Sequence, residues 1–120
     1  MNKTYDVIIL GTGEAGIYAA YELALKAPHA KVLVIDQGAD IYSRSCPIVA
    51  GKVRSCINCK VCDTMCGFGG AGAFSDGKFN FTTAFGGWLT DFLSEEEVMS
   101  LIDYVDALNV KHGATTEVYS

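Results

Sequence analysis

Along this 120-residue chain, apolar and polar positions form three patterned blocks and one long stretch without a period. "YDVIIL", Tyr5 to Leu10, is short, β-branched and apolar at every other step and in between. That predicts a buried parallel strand with both faces covered. "EAGIYAAYELALKA" follows, rich in Ala and Leu, with no glycine after Gly16 and no proline before Pro28. It predicts a helix that stops at Pro28, where the missing N–H and the fixed ring end the ladder. "KVLVIDQG", Lys31 to Gly38, predicts a second buried strand closing on an acid. Residues 5–37 then make a βαβ unit with a parallel sheet.

Residues 38–90 carry no clear period and are punctuated by Gly, Ser, Cys and Asn. They predict cofactor loops, with a short helix around the cysteines, since so long an irregular stretch usually has a function. Periodicity returns at residues 94–110. Ser94 is a good N-cap, Glu97 completes a capping box, and Glu95, Glu96 and Glu97 load the positive end of the helix dipole. Val98, Leu101, Ile102, Val105 and Leu108 form one apolar stripe, so this helix reads as scaffold. The aromatics of "AFGGWLTDF" read chiefly as core packing, with a flavin cover as the second reading. His29 and His112 read as surface residues.

Composition narrows the class. Half of the chain is apolar and 19% is charged, as in globular domains. The net charge of −5 argues against a nucleic-acid backbone or an anionic membrane as partner. No apolar run reaches the roughly 18 residues that a spanning helix needs. The four-residue run Val7 to Leu10 is too short for a secretory signal. A cytosolic protein is expected, with cysteines that are reduced, metal-bound or catalytic.

The chemistry sits in two glycine loops and a cysteine block. Gly11, Gly13 and Gly16 match G-x-G-x-x-G, after a strand and opening a helix at Glu14 and Ala15. Gly11 permits the turn, Gly13 lets backbone approach a pyrophosphate, and Gly16 lets helix and strand pack closely. The helix N-terminus supplies N–H groups and a positive dipole end. Asp36, twenty residues past Gly16, is placed to accept the hydroxyls of an adenosine ribose and to repel a 2′-phosphate. FAD and NAD share that ADP half, so these residues do not separate them.

Cys56, Cys59, Cys62 and Cys66 have the spacing C-x2-C-x2-C-x3-C of ferredoxins. A [4Fe–4S] cluster is the leading reading. Gly67 departs from it, standing where ferredoxins have proline, and Cys46 is a further ligand candidate. A redox dithiol (Cys62 with Cys66, or Cys56 with Cys59) is the second reading, with Lys52, Arg54 and Lys60 near enough in sequence to stabilise thiolates. Free thiols acting as small apolar residues are the third. Zinc is the fourth, since its knuckles are usually further apart.

The second glycine loop, "GFGGAGAFSDGKF", lets backbone approach a ligand closely. With it the chain resembles a known family. "DVIILGTGEAGIYAAYELA", "VLVIDQG", "CPIVAGKVRSCINCKVCDTMCGFGGAGAFSDGKFNF" and "GGWLTDFL" are similar to the start of the FAD-dependent dehydrogenases, flavoproteins related to the glutathione-reductase superfamily. The resemblance covers about residues 5 to 93, and "GGAGAFSDGK" is its most specific part. It implies a Rossmann-like FAD-binding unit and an oxidoreductase. Gly11, Gly13 and Gly16 would hold the FAD pyrophosphate and Asp36 its ribose. Gly69, Gly70, Ala71, Gly72 and Ser75 would lie near the flavin half. It also implies a longer protein, with a substrate domain and further strands, so the chain is expected to be an N-terminal part of an FAD-binding domain. The substrate and the electron donor stay open. A ferredoxin-like module without flavin, or an inactive truncated piece, are the competing readings.

Overall fold

The computed structural model describes residues 4–117. The chain is mixed α/β and divides into a first unit ending at Gly77 and a second beginning at Lys78.

In the first unit, β1 (Val7–Leu10) pairs in parallel with β2 (Val32–Ile35), and α1 (Glu14–Lys26) connects them. The register runs from Val7 opposite Val32 to Leu10 opposite Ile35. Outside the strands, Asp6 N donates to Lys31 O at 2.9 Å and Gly11 N to Ile35 O at 2.7 Å. This is a partial Rossmann-like βαβ unit. The helix ends at Ala27, whose N–H donates to Leu23 O, just before Pro28. Glu22 and Lys26 pair across one turn at 2.6 Å.

The expectation of strands covered on both faces is corrected. In β1 the side chains alternate, with Ile8 57% and Leu10 79% exposed. Two strands and one helix cover one face only, and parallel sheets ordinarily need helices on both. β2 covers the apolar run but is shorter than the expected segment Lys31 to Gly38, because the chain turns at Asp36, whose side chain accepts from Gly38 N. The helix expected around the cysteines reduces to single turns. One closes from Lys52 N to Pro47 O and another from Cys66 N to Cys62 O, both at 2.8 Å. A 3-10 turn at Gly70–Phe74 follows.

In the second unit, two 3-10 turns (Thr83–Phe85 and Leu89–Asp91) lead into α2 (Glu95–Lys111). The capping box forms: Glu97 N donates to Ser94 Oγ at 3.2 Å and Ser94 N to Glu97 Oε2 at 2.8 Å. The Ser94 N–H and the Ser94 hydroxyl, both donating to Glu97 Oε2, hold the Glu97 carboxyl below its usual value. The Thr83 hydroxyl donates to Glu95 Oε1 at 2.9 Å. The α2 stripe turns inward at Val98, which is buried, and lines a cavity of about 220 Å³ with Phe79, Phe81, Leu89, Ile102 and Val105. Phe85, Trp88 and Phe92 are 76%, 79% and 81% exposed, so core packing is not their role. His29 and His112 are exposed.

Candidate functional site

The site grows from the turn after β1. Gly11 takes φ +98°, which lets the chain leave the strand and enter α1 within three residues. Gly16 lies directly under that turn. A Cβ there would collide with the Gly11 carbonyl and touch Ile9 Cγ2 at 3.4 Å, so helix and strand need a glycine to pack. Gly13 is the N-cap of α1 and offers no side-chain cap. The first-turn N–H groups, from Glu14 onward, are left for another acceptor. Added Cβ atoms at Gly11 and Gly13 would meet nothing within 4 Å. A helix N-terminus without a side-chain cap, reached past glycines with no Cβ, suits an anionic pyrophosphate.

The second glycine loop comes to the same place. Gly69 N donates to Thr12 O at 2.9 Å, and Phe68 N to Ala39 O at 3.1 Å. A Cβ on Gly70, which has φ +55°, would lie 2.8 Å from Gly13 Cα. A Cβ on Gly72 would lie 3.3 Å from the Glu14 carboxylate. The structure therefore brings Gly11, Gly13, Glu14, Gly16, Asp36, Gly69, Gly70 and Gly72 together. Ala15, Ala71 and Ser75 are exposed. Ser75 Oγ accepts from Gly77 N at 3.1 Å.

Asp36 is the junction. Its Oδ2 accepts from Thr12 N at 2.7 Å and from Thr12 Oγ1 at 2.9 Å. Its Oδ1 accepts from Gly38 N and from Gly67 N, each at 2.8 Å. The Gly38 and Thr12 N–H groups, then the Thr12 hydroxyl and Gly67 N–H, favour the ionised carboxylate and lower its pKa to about 2.

Sequence reasoning missed Thr12, Gly67 and Arg44. Thr12 occupies the variable position between two motif glycines and is buried. Arg44 is a basic residue in an unpatterned stretch, yet it is 7% exposed. Its Nε donates to Asp63 O at 2.7 Å and its Nη1 to Phe68 O at 2.8 Å. Its guanidinium lies 4.7 Å from the Phe74 ring centroid. Its Nη2 is buried without a partner among the described residues. Arg44 thus ties the end of the cysteine block to the second glycine loop.

The cysteines divide into two places. Cys46, Cys56, Cys59 and Cys62 line a cavity of about 230 Å³ whose other walls include Ile48, Val49, Val53 and Ile57. Cys66 is not in that lining, and its Sγ accepts from Gln37 Nε2 at 3.1 Å, beside Asp36. Cys56 Sγ accepts from Asn58 N at 3.4 Å. Among the described residues all five thiols are free. Also among the described residues, no three Cys, His, Asp or Glu side chains gather closely enough to hold a metal ion. The arrangement therefore does not fit a [4Fe–4S] cluster or a zinc site on Cys56, Cys59, Cys62 and Cys66. Cys62 is the thiol the fold activates. The Thr64 hydroxyl, 3.1 Å from its Sγ, and the Thr64 and Met65 N–H groups hold it below the ordinary thiol value. Lys52, Arg54 and Lys60 take no part in that shift.

Among curated proteins the chain is similar to the tRNA uridine 5-carboxymethylaminomethyl modification enzyme MnmG of Metamycoplasma arthritidis (strain 158L3-1). The two are 37% identical over 57 residues, which is 48% of this chain and 9% of that enzyme. The match thus spans less than a tenth of the relative's length. No protein-family model and no solved structure matches the chain. No described helix is long and apolar enough to cross a membrane.

Proposed function

We propose that this chain is the dinucleotide-binding part of an FAD-dependent oxidoreductase. The observation that carries the reading is the N-terminus of α1 at Gly13, set off a parallel strand, without a side-chain cap and with open space on the Cβ side of Gly13. The likeness to a nucleoside-modifying enzyme supports an enzyme over a passive module. FAD is preferred to NAD because "GGAGAFSDGK", the part most specific to the flavoprotein resemblance, lies against the first glycine loop.

The flavin, when bound, supplies the electron transfer. The protein's part is to bind and orient. The N–H groups at Glu14, Ala15 and Gly16 would face the pyrophosphate, and the dipole of α1 would favour its charge. Gly69, Gly70 and Gly72 would fix the edge of that cradle, held in turn by Arg44 through the Phe68 carbonyl. Cys62, whose thiolate the Thr64 hydroxyl favours, is the residue best suited to redox exchange, with Cys66 one turn away. Among the described residues the thiols are not gathered closely enough to hold an iron–sulfur cluster. Action on tRNA is not carried over from the relative, because a chain of net charge −5 is poorly matched to a nucleic-acid backbone. A cytoplasmic location, and a substrate site contributed by further chain, belong to the same proposal.

The test is direct binding. The full 120-residue chain, purified without oxygen, is titrated with FAD and followed by flavin fluorescence, with ADP and NAD as competitors. Saturable FAD binding displaced by ADP is expected. A chain that is folded by circular dichroism yet binds neither FAD nor ADP overturns the reading.

A further inference from the structure

The contacts of Asp36 point to a role other than reading a ribose. A carboxylate has about four in-plane lone-pair positions, two on each oxygen. Asp36 fills two on each: Thr12 N and Thr12 Oγ1 on Oδ2, Gly38 N and Gly67 N on Oδ1, all between 2.7 and 2.9 Å. A ribose hydroxyl could bind there only by displacing one of these donors. Thr12 is buried, so its freed N–H would find no water, and an unsatisfied buried donor is costly.

The donors come from three separate segments. Thr12 belongs to the first glycine loop, Gly38 to the turn after β2, and Gly67 to the start of the second glycine loop. The Thr12 peptide is held at both ends, since its carbonyl accepts from Gly69 N at 2.9 Å. Backbone packing at the Gly38–Gly67 contact is equally close, because a Cβ on Gly38 would collide with Gly67 N. One carboxylate therefore joins the two glycine loops, reaching 24 residues back to Thr12 and 31 residues on to Gly67.

We infer that Asp36 is a positioning residue that locks the second glycine loop onto the first before any dinucleotide arrives, and that it does not recognise the adenosine ribose. This rests on the dinucleotide-binding reading above. Any preference for the ribose hydroxyl must then come from another group. Asp36 acts on affinity through the pyrophosphate cradle, which it holds in shape.

Two measurements test it. In the nucleotide-free chain, amide hydrogen exchange is compared between the wild type and Asp36→Asn. Exchange at Thr12 and Gly67 should rise at least tenfold in the variant. Unchanged exchange overturns the lock. Then ADP and 2′-deoxy-ADP are titrated into both proteins. The variant should weaken both ligands by the same factor, leaving their ratio within twofold of the wild type. A wild-type preference for ADP that Asp36→Asn abolishes shows a ribose ligand and overturns the proposal. If the variant does not fold, the wild type still decides. Its Thr12, Gly38 and Gly67 amides should be protected before ADP is added and stay protected afterwards, and lost protection on binding refutes the lock. Failure of both proteins to bind ADP sinks the dinucleotide reading alone, because the exchange experiment judges the lock without ligand.

Discussion

Replacing Arg44 by Met isolates the second fastening of the glycine loops. Met keeps much of the buried stem and removes the charge. Two hydrogen bonds, to Asp63 O and Phe68 O, are lost. Bonds from a charged donor contribute about 1.5 kcal/mol or more each, so about 3 kcal/mol goes. The contact with the Phe74 ring adds about 0.5–1 kcal/mol. Against this, the buried Nη2 has no partner among the described residues, and removing it returns about 1–2 kcal/mol. The net loss is about 1.5–3 kcal/mol, a large share of the stability of a small domain. Urea unfolding followed by far-ultraviolet circular dichroism measures it through the midpoint at constant slope. Arg44→Lys should recover less than half, because an ammonium does not reproduce the planar fork between two carbonyls. A change below about 0.5 kcal/mol for Arg44→Met refutes the reasoning. Arg44 would then be a passenger, and the fastening would lie in the Asp36 contacts alone.

Other outcomes follow from single contacts. The Asp36 pKa is lowered to about 2, so its contribution to stability is full above the ordinary value of 3.8 and fades as pH falls toward 2. The stability gap between wild type and Asp36→Asn, read by urea unfolding, should be constant above about pH 4 and close toward pH 2. Thr64→Val removes the main support of the Cys62 thiolate, so iodoacetamide should modify Cys62 more slowly at neutral pH, with Cys56 unaffected as an internal control. Glu14 places a carboxylate at the helix end that would meet the pyrophosphate, and a like charge about 4 Å away in water costs about 1 kcal/mol. Glu14→Gln should tighten ADP binding roughly fivefold at low salt, and the gain should shrink as salt rises.

How much of this was legible in the sequence depends on how local each feature is. The capping box of α2 involves Ser94 and Glu97 only, and it forms as the spacing implies. The strand–glycine–helix order of residues 5–26 is equally local and is found. The burial of β1 was misread because one apolar segment does not reveal how many strands flank it, and Ile8 and Leu10 face outward. The four-cysteine run is not drawn together as its spacing implies, for a related reason. Its spacing fits a cubane, but Cys66 is turned toward Gln37, 29 residues earlier, while Cys46 joins the other three thiols at their cavity. Arg44 gave no signal at all. Its burial depends on carbonyls 19 and 24 residues later, which no window around it contains.

The glycines divide by what lies opposite them, and that division is itself a test of where the ligand goes. Gly38, Gly67 and Gly70 each face protein backbone, so their missing Cβ atoms serve loop-on-loop packing. At Gly11 the missing Cβ serves the turn at φ +98°; at Gly13, with an ordinary φ and open space on its Cβ side, it serves nothing that the protein itself supplies. Gly70→Ala must put a Cβ 2.8 Å from Gly13 Cα at φ +55°. The backbone strain costs about 1–2 kcal/mol and the overlap about as much again, so the free protein should lose roughly 2–4 kcal/mol. Gly13→Ala is different. Its φ of −71° suits alanine, and the poorer N-cap is offset by reduced freedom in the unfolded chain. The free protein should change by less than about 1 kcal/mol, yet the new methyl stands where backbone must approach a pyrophosphate, so FAD binding should fall more than about tenfold. Urea unfolding and FAD titration of both variants separate the two kinds of glycine. If Gly13→Ala binds FAD as the wild type does, the open face of the first loop is not the phosphate site.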